Sequence, residues 1–358
     1  MRKILFLFLV LIGLLACQKQ DKGIPNPEPQ PVFLRAVDIS AYPEIALTGP
    51  LFYNATGVQQ DFLEILKENG VNAVRLKLWV DPANQQASLA EVKSFSETLK
   101  SHGFKTWLTV HYSDTWADPG HQQTPGRWVG LDLETLKDSV FAYTVTVVRE
   151  IEPDYIQIGN EINSGFLFPL GSISQHLQQF QELLQMASKA VRQTNRKTQI
   201  IIHYAGFENA DWFFEQTKSI DYDIIGLSYY PLWHGKSLDK LKQKMQYLTA
   251  TFDKKIVIAE TAYPFTLGWN DWTNNIVGLP EQLILPDFPA SEIGQHNFLQ
   301  KIKTITQEVE GGIGFCYWGA ELIAWKGPEA TDASPWENLA VFDFNNRGLP
   351  VLEVFKEE

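Results

Sequence analysis

The chain has 358 residues, 44% of them apolar and 13% aromatic, with 11 tryptophans and a formal charge of −12. That acidic balance excludes a nucleic-acid binder, which needs a basic surface. It also argues against binding to anionic lipid headgroups, while the aromatic content suits a protein that handles sugars.

The chain begins with a leader. Arg2 and Lys3 precede an apolar run, Ile4 to Leu15, too short to span a bilayer as a mature helix. The run ends in Leu14-Leu15-Ala16-Cys17, which resembles the lipobox of bacterial lipoproteins. The resemblance implies a signal peptide over residues 1–16 and lipidation of Cys17. The protein is then expected to be exported and lipid-anchored to a bacterial membrane, on the outer membrane or cell surface. Cys316 is left without a disulfide partner, and its apolar neighbours predict a small buried side chain. Residues 17–32, rich in proline and polar residues, read as a tether.

From residue 33 onward, short apolar runs alternate with helix-period stretches. The runs are Phe33–Ile39, Ala73–Leu78, Thr106–Val110, Tyr155–Ile158, Gln199–His203, Ile224–Leu227, Lys255–Ala259 and Ile313–Trp318. Val58, Phe62, Ile65 and Leu66 make one helical stripe, closed by Gly70 at a C-cap position. Leu177, Phe180, Leu184, Ala187 and Val191 make another, with Ser174 as its predicted N-cap. Further helices are expected over 88–101, 132–150, 208–217, 237–252 and 291–309. Alternation of β and α predicts a parallel sheet, and eight units predict an α/β (β/α)8 barrel over residues 33–358.

In such a barrel the chemistry lies at the carboxyl ends of the strands. The fourth run delivers Asn160-Glu161 and the seventh delivers Glu260. A carboxylate ending a buried strand is costly unless it has a partner or a task. Two brought together point to acid/base and nucleophile work on a glycosidic bond. Polar or aromatic residues end the other runs as well, which describes a lined cleft.

These ends resemble a clan of retaining glycosidases that carry both glutamates on strands 4 and 7. Within it the chain resembles glycoside hydrolase family 53, the arabinogalactan endo-β-1,4-galactanases. Four motifs carry the likeness: Val74 to Pro82, His111 to Gly120, Gln157 to Gly165 and Ala259 to Pro264. The second segment, His-Tyr-Ser-Asp-Thr-Trp-Ala-Asp-Pro-Gly, is the specific one; Asn-Glu alone is shared across the clan.

The resemblance implies endo-hydrolysis of β-1,4-galactan with retention, Glu161 as proton donor and Glu260 as nucleophile. It assigns substrate contacts to Asn160, Arg75, His111, Ser113, Asp114, Thr115, Trp116, Tyr229 and Trp318. Arg75 is expected to keep Glu260 ionised, His111 to hold its neighbours, and Asp38 to steady the network beneath the site. Clan relatives cutting β-mannan, xylan or β-glucan, and a non-catalytic glycan-binding lipoprotein, are the alternatives. Catalysis needs no cofactor, and a monomer is expected. Family members often hold structural calcium between the loops after strands 7 and 8. The corresponding residues are Asp271, Thr273 and Asn275, then Ser334 and Glu337, with Thr273 standing where the family has histidine. Strand 8 departs too, with Gly319-Ala320 after Trp318 where relatives often have a glutamate.

Overall fold

The computed structural model describes residues 32–357. The leader, Cys17 and most of the tether lie outside the described residues. Eight parallel strands close into a barrel in chain order. They are β1 (Leu34–Asp38), β2 (Ala73–Leu78), β3 (Lys105–Val110), β4 (Tyr155–Ile158), β5 (Gln199–Ala205), β6 (Ile224–Ser228), β7 (Lys255–Thr261) and β8 (Gly312–Trp318). The seam closes with Asp38 of β1 opposite Trp318 of β8. Residues from Phe33 onward form one compact unit. Among the described residues, no helix is long and apolar enough to cross a membrane.

The strands are buried on both faces, as a parallel sheet wrapped in helices must be. Inside the barrel, Leu34, Ala36, Ala73, Trp107, Ile201, Val257, Ala259 and Cys316 form their own cluster. Trp107 is the largest side chain of that cluster, and several of the others are small. A Cβ on Gly226 would meet Ile201 Cγ2 at 2.9 Å and Ala259 Cβ at 3.3 Å. Cys316 is fully buried, as its apolar run predicts. The outer core lies between strands and helices, where burying one Leu or Ile contributes about 1.5–3 kcal/mol.

The helices fall close to their predicted ranges, with side-chain caps at Asp61, Ser88, Asp132, Ser237 and Ser291. Two boundaries differ. The helix expected from the Val58 stripe spans Phe62–Glu68, after a short helix at Tyr42–Ala46, because the Asp61 carboxylate takes the amides of Leu63 and Glu64 and starts it there. Val58 is left outside it and exposed. The long helix Ile173–Thr194 follows Ser172, so Ser174 lies inside its first turn. Gly70 does close the helix Phe62–Glu68, at φ 90°. A Cβ there would also strike the Phe355 carbonyl oxygen at 2.5 Å, so both backbone angle and close approach require glycine.

One irregularity positions the site. Between β6 and β7, Leu227 pairs with Ile258 but Ser228 pairs with Glu260. Ala259 is the extra residue of a bulge on β7, and a bulge re-aims the side chain that follows it.

Candidate active site

Glu161 leaves β4 through a turn in which Gly159 (φ 98°) and Glu161 itself (φ 46°) are left-handed. A non-glycine residue there costs about 1–3 kcal/mol and persists only when its surroundings over-determine it. They do. The Gln122 side-chain amide donates to the carbonyls of Asn160 (2.8 Å), Asp118 (2.9 Å) and Glu161 (3.3 Å). From below, the Ile162 amide donates to the His203 carbonyl at 3.1 Å.

A relay fixes the carboxyl. Gln157 Nε2 donates to His203 Nδ1 at 2.8 Å, which places the ring proton on Nε2. Nε2 then donates to Ser228 Oγ at 2.8 Å, and Ser228 donates to Glu161 Oε1 at 2.5 Å. Burial, and then the Arg75 charge, hold His203 well below its ordinary pKa, so the ring stays neutral.

Glu260 is held differently. Its Oε1 accepts from Arg75 Nη2 at 2.7 Å, and its Oε2 from the Tyr230 hydroxyl at 3.1 Å. Arg75 also bonds Asp38 (2.6 Å), Asn160 Oδ1 (2.8 Å) and Gln157 (3.4 Å). Burial opposes its charge, but Glu260 and Asp38 outweigh burial and keep the guanidinium charged. Oxygens of Glu161 and Glu260 and a ring nitrogen of His203 all lie within 4.8 Å of one another.

That proximity separates the two acids. Burial, and then the Glu260 charge, raise the Glu161 carboxyl to about 8. Burial raises Glu260 as well, but there Arg75 and the Tyr230 hydroxyl oppose it directly. The two titrate as a pair. Glu161 lacks a contacting cation, so the shared proton resides on it.

The pair opens into a cleft of about 400 Å³ walled by Trp116, Trp318, Trp336, Trp233 and Tyr230. Of the residues expected to contact substrate, Asn160, Trp116 and Trp318 line it. Asn160 spends Oδ1 on the internal network and one N–H on the Ala117 carbonyl at 2.8 Å, leaving one N–H for the cleft.

The others lie elsewhere. Arg75 is buried beneath the pair. His111 is buried, and its Nδ1 accepts from Trp79 Nε1 (3.3 Å) and the Ala117 amide (3.2 Å). Burial and the charges of Arg75 and Lys77 keep it neutral, so it positions its neighbours. The buried Ser113 hydroxyl takes the Thr115 amide at 3.4 Å, and Thr115 is exposed and does not line the cleft. Both Asp114 oxygens are used on backbone, accepting from Asp81 (2.9 Å) and Gly126 (2.7 Å), so Asp114 pins the loop. Tyr229 is buried against Phe298 with its hydroxyl on the Gly235 carbonyl. Neighbours on an extended chain face opposite ways, so Tyr230 enters the cleft instead.

The loops after β7 and β8 meet beside the cleft. Glu337 Oε1 accepts from the Asn270 amide at 2.6 Å, and Asp271 Oδ1 from the Thr273 amide at 2.6 Å. Their other oxygens, Glu337 Oε2 and Asp271 Oδ2, and Asn275 Oδ1 are buried without a donor. Three buried acceptors without donors fit a hard cation, which takes oxygen ligands. Thr273 does not belong to that set. Its hydroxyl bridges the two loops, donating to the Ala330 carbonyl and accepting from the Ala333 amide. Ser334 Oγ accepts from Trp336 N at 3.2 Å and retains capacity for a cation.

A (β/α)8 barrel that presents two carboxyls from β4 and β7 in an aromatic cleft defines a glycoside hydrolase. The family model for glycosyl hydrolase family 53 matches residues 34–355, and the chain belongs to that family. It is 33% identical to an arabinogalactan endo-beta-1,4-galactanase of Cellvibrio japonicus, over all of this chain and 97% of that one. The family 53 catalytic domain of Ignisphaera aggregans superposes with a TM-score of 0.85 at 38% identity, covering 92% of this chain and 97% of that one. A fungal beta-1,4-galactanase gives 0.79 at 28%, covering 91% and 100%. A family 113 β-1,4-mannanase, at 14% identity and a TM-score of 0.53, shares the fold alone.

Proposed function

We propose that this chain cuts β-1,4-galactosidic bonds within galactan chains, including arabinogalactan, by a retaining double displacement. The observation that carries the reading is the Glu161–Glu260 pair, within 4.8 Å and held by different partners. Retaining enzymes place their carboxyls about 5–5.5 Å apart, so that one attacks the anomeric carbon directly. Glu161 gives its proton to the glycosidic oxygen while a Glu260 oxygen bonds the anomeric carbon and the leaving chain departs. Glu161, now ionised, takes a proton from water, whose oxygen displaces Glu260 and restores the configuration. The free Asn160 N–H is placed to bond the sugar 2-hydroxyl, and Trp318 and Trp116 offer apolar faces to the pyranose. The relatives' activities support galactan over other β-glycans.

The test is a panel of unbranched β-1,4-galactan, mannan, xylan and β-glucan. Galactan is expected to yield intermediate oligomers early; a faster release from another polymer rejects the substrate. On galactan, kcat/KM is expected to fall as pH rises through about 8, where Glu161 loses its proton. It falls again in acid as Glu260 protonates, above the ordinary carboxylate range. A profile flat from pH 6 to 10 would remove Glu161 as the acid.

We further propose a structural calcium ion held by Asp271, Asn275 and Glu337, with Ser334 beside them. The support is the three donorless buried oxygens. Chelation is expected to lower Tm by roughly 5 °C, with calcium restoring it better than magnesium. An unchanged melt in chelator counts against the ion. Export and lipid anchoring through Cys17 remain our reading of the leader, supported by its charge, its apolar run and the Leu-Leu-Ala-Cys end.

A further inference from the structure

Lys77, near the end of β2, is only 4% exposed. Its ammonium makes no hydrogen bond or ion pair with any described residue. It lies over the ring of Trp116, 4.1 Å from the centroid, and 5.1 Å from that of Trp79. An ammonium so nearly buried with no carboxylate bonded to it is disfavoured unless something compensates it, and burial does pull Lys77 below its ordinary pKa. Asp38, Glu321, Glu44 and Glu91 face it and oppose that shift. Glu321 is not a settled partner. Its Oε1 takes the Ala41 amide at 2.8 Å, its Oε2 is buried without a donor, and burial pushes its carboxyl up to about 8. No carboxylate pairs with the ammonium, and the two indole faces lie directly against it.

Trp116 is the residue this contact holds. It is 46% exposed, lines the cleft, and meets Trp318 at 6.0 Å and Trp79 at 5.7 Å. It rides on a loop, where a free indole would lose rotamer freedom on stacking with a sugar. A cation over its inner face removes that loss before substrate arrives.

We propose that Lys77 is a positioning residue that fixes Trp116 as a sugar-stacking wall of the cleft. The inference rests on the cleft being the galactan site. Lys77→Met keeps the chain length without the charge. It is expected to raise KM for a β-1,4-galacto-oligosaccharide about fivefold to tenfold, with kcat within about twofold. Lys77→Arg, which keeps a cation, is expected to hold KM near wild type. In a Trp116→Ala background, Lys77→Met is expected to change KM no further, since residues acting through one contact are not additive. A purely structural lysine would lower Tm and kcat and add fully to Trp116→Ala. An unchanged KM in folded Lys77→Met, or full additivity in the cycle, overturns the proposal. Should Lys77→Met fail to fold, a tenfold rise in KM for Lys77→Arg, with Tm unchanged, overturns it as well. Wild-type protein inert on galactan fails in its own control, and so overturns the galactan reading separately.

Discussion

Glu260→Ala is expected to lose on the order of 10⁴-fold or more in kcat on galactan. Azide, which can enter the space left by the side chain, should restore turnover and yield a galactosyl azide of α configuration. The physical reason is that the attacking oxygen forms the bond that the rest of the site is arranged to stabilise. Glu161→Ala should behave differently. It loses about 10²–10⁴-fold on substrates whose leaving group needs a proton, and far less on activated aryl galactosides. With azide it should give the β product, because Glu260 still forms the covalent intermediate. Product stereochemistry, read by NMR, separates the two roles; azide products of one configuration from both variants would sink the assignment. Stability should report Glu161 too. A carboxyl whose folded value is raised binds its proton more tightly in the folded chain. Its stabilisation is complete below the unfolded value near 4.5 and is lost as pH rises through about 8. Glu161→Gln should therefore melt progressively higher than wild type across that window.

The barrel was legible in the chain because fully buried parallel strands must be apolar throughout, and eight such runs alternate with helical stripes. Glu161 and Glu260 were legible for the opposite reason: they are charges at the ends of those runs. What lay beyond reading depends on neighbours across strands. His203 near the end of β5 and Ser228 at the end of β6 are ordinary polar residues, and only closure of the barrel sets them in a relay to Glu161. Gln122 and Gln157 carry no local signal, since an amide in a loop or strand earns its place through partners distant in the chain. Tyr229 and Tyr230 are chemically alike, and parity beside the Ala259 bulge decides which one reaches Glu260. Trp336 arrives on the loop after β8, whose path no periodicity reveals. The Asp114 loop shows the reverse error: a distinctive motif marked the family, but several of its residues serve the loop's own backbone.

Removal of Arg75 should have the largest structural effect. Its guanidinium is fully buried, and its planar fork satisfies Asp38, Glu260 and Asn160 together, a task a lysine ammonium does not match. Arg75→Met leaves the buried Asp38 and Glu260 carboxylates without a bonded cation, and breaking such a pair costs about 3–5 kcal/mol. The loss should depend on pH. Without Arg75 the Glu260 value rises further, because the charge that most opposed burial has gone and only the Tyr230 hydroxyl still does so. The variant then binds more protons folded than unfolded, so its stability declines as pH rises. Urea midpoints should differ from wild type modestly at pH 4.5 and widely at pH 7.5. The acid limb of any residual activity should move upward by the same cause. A deficit equal at both pH values would mean that Arg75 contributes packing alone, and the division between a protonated Glu161 and an ionised Glu260 would then need another source.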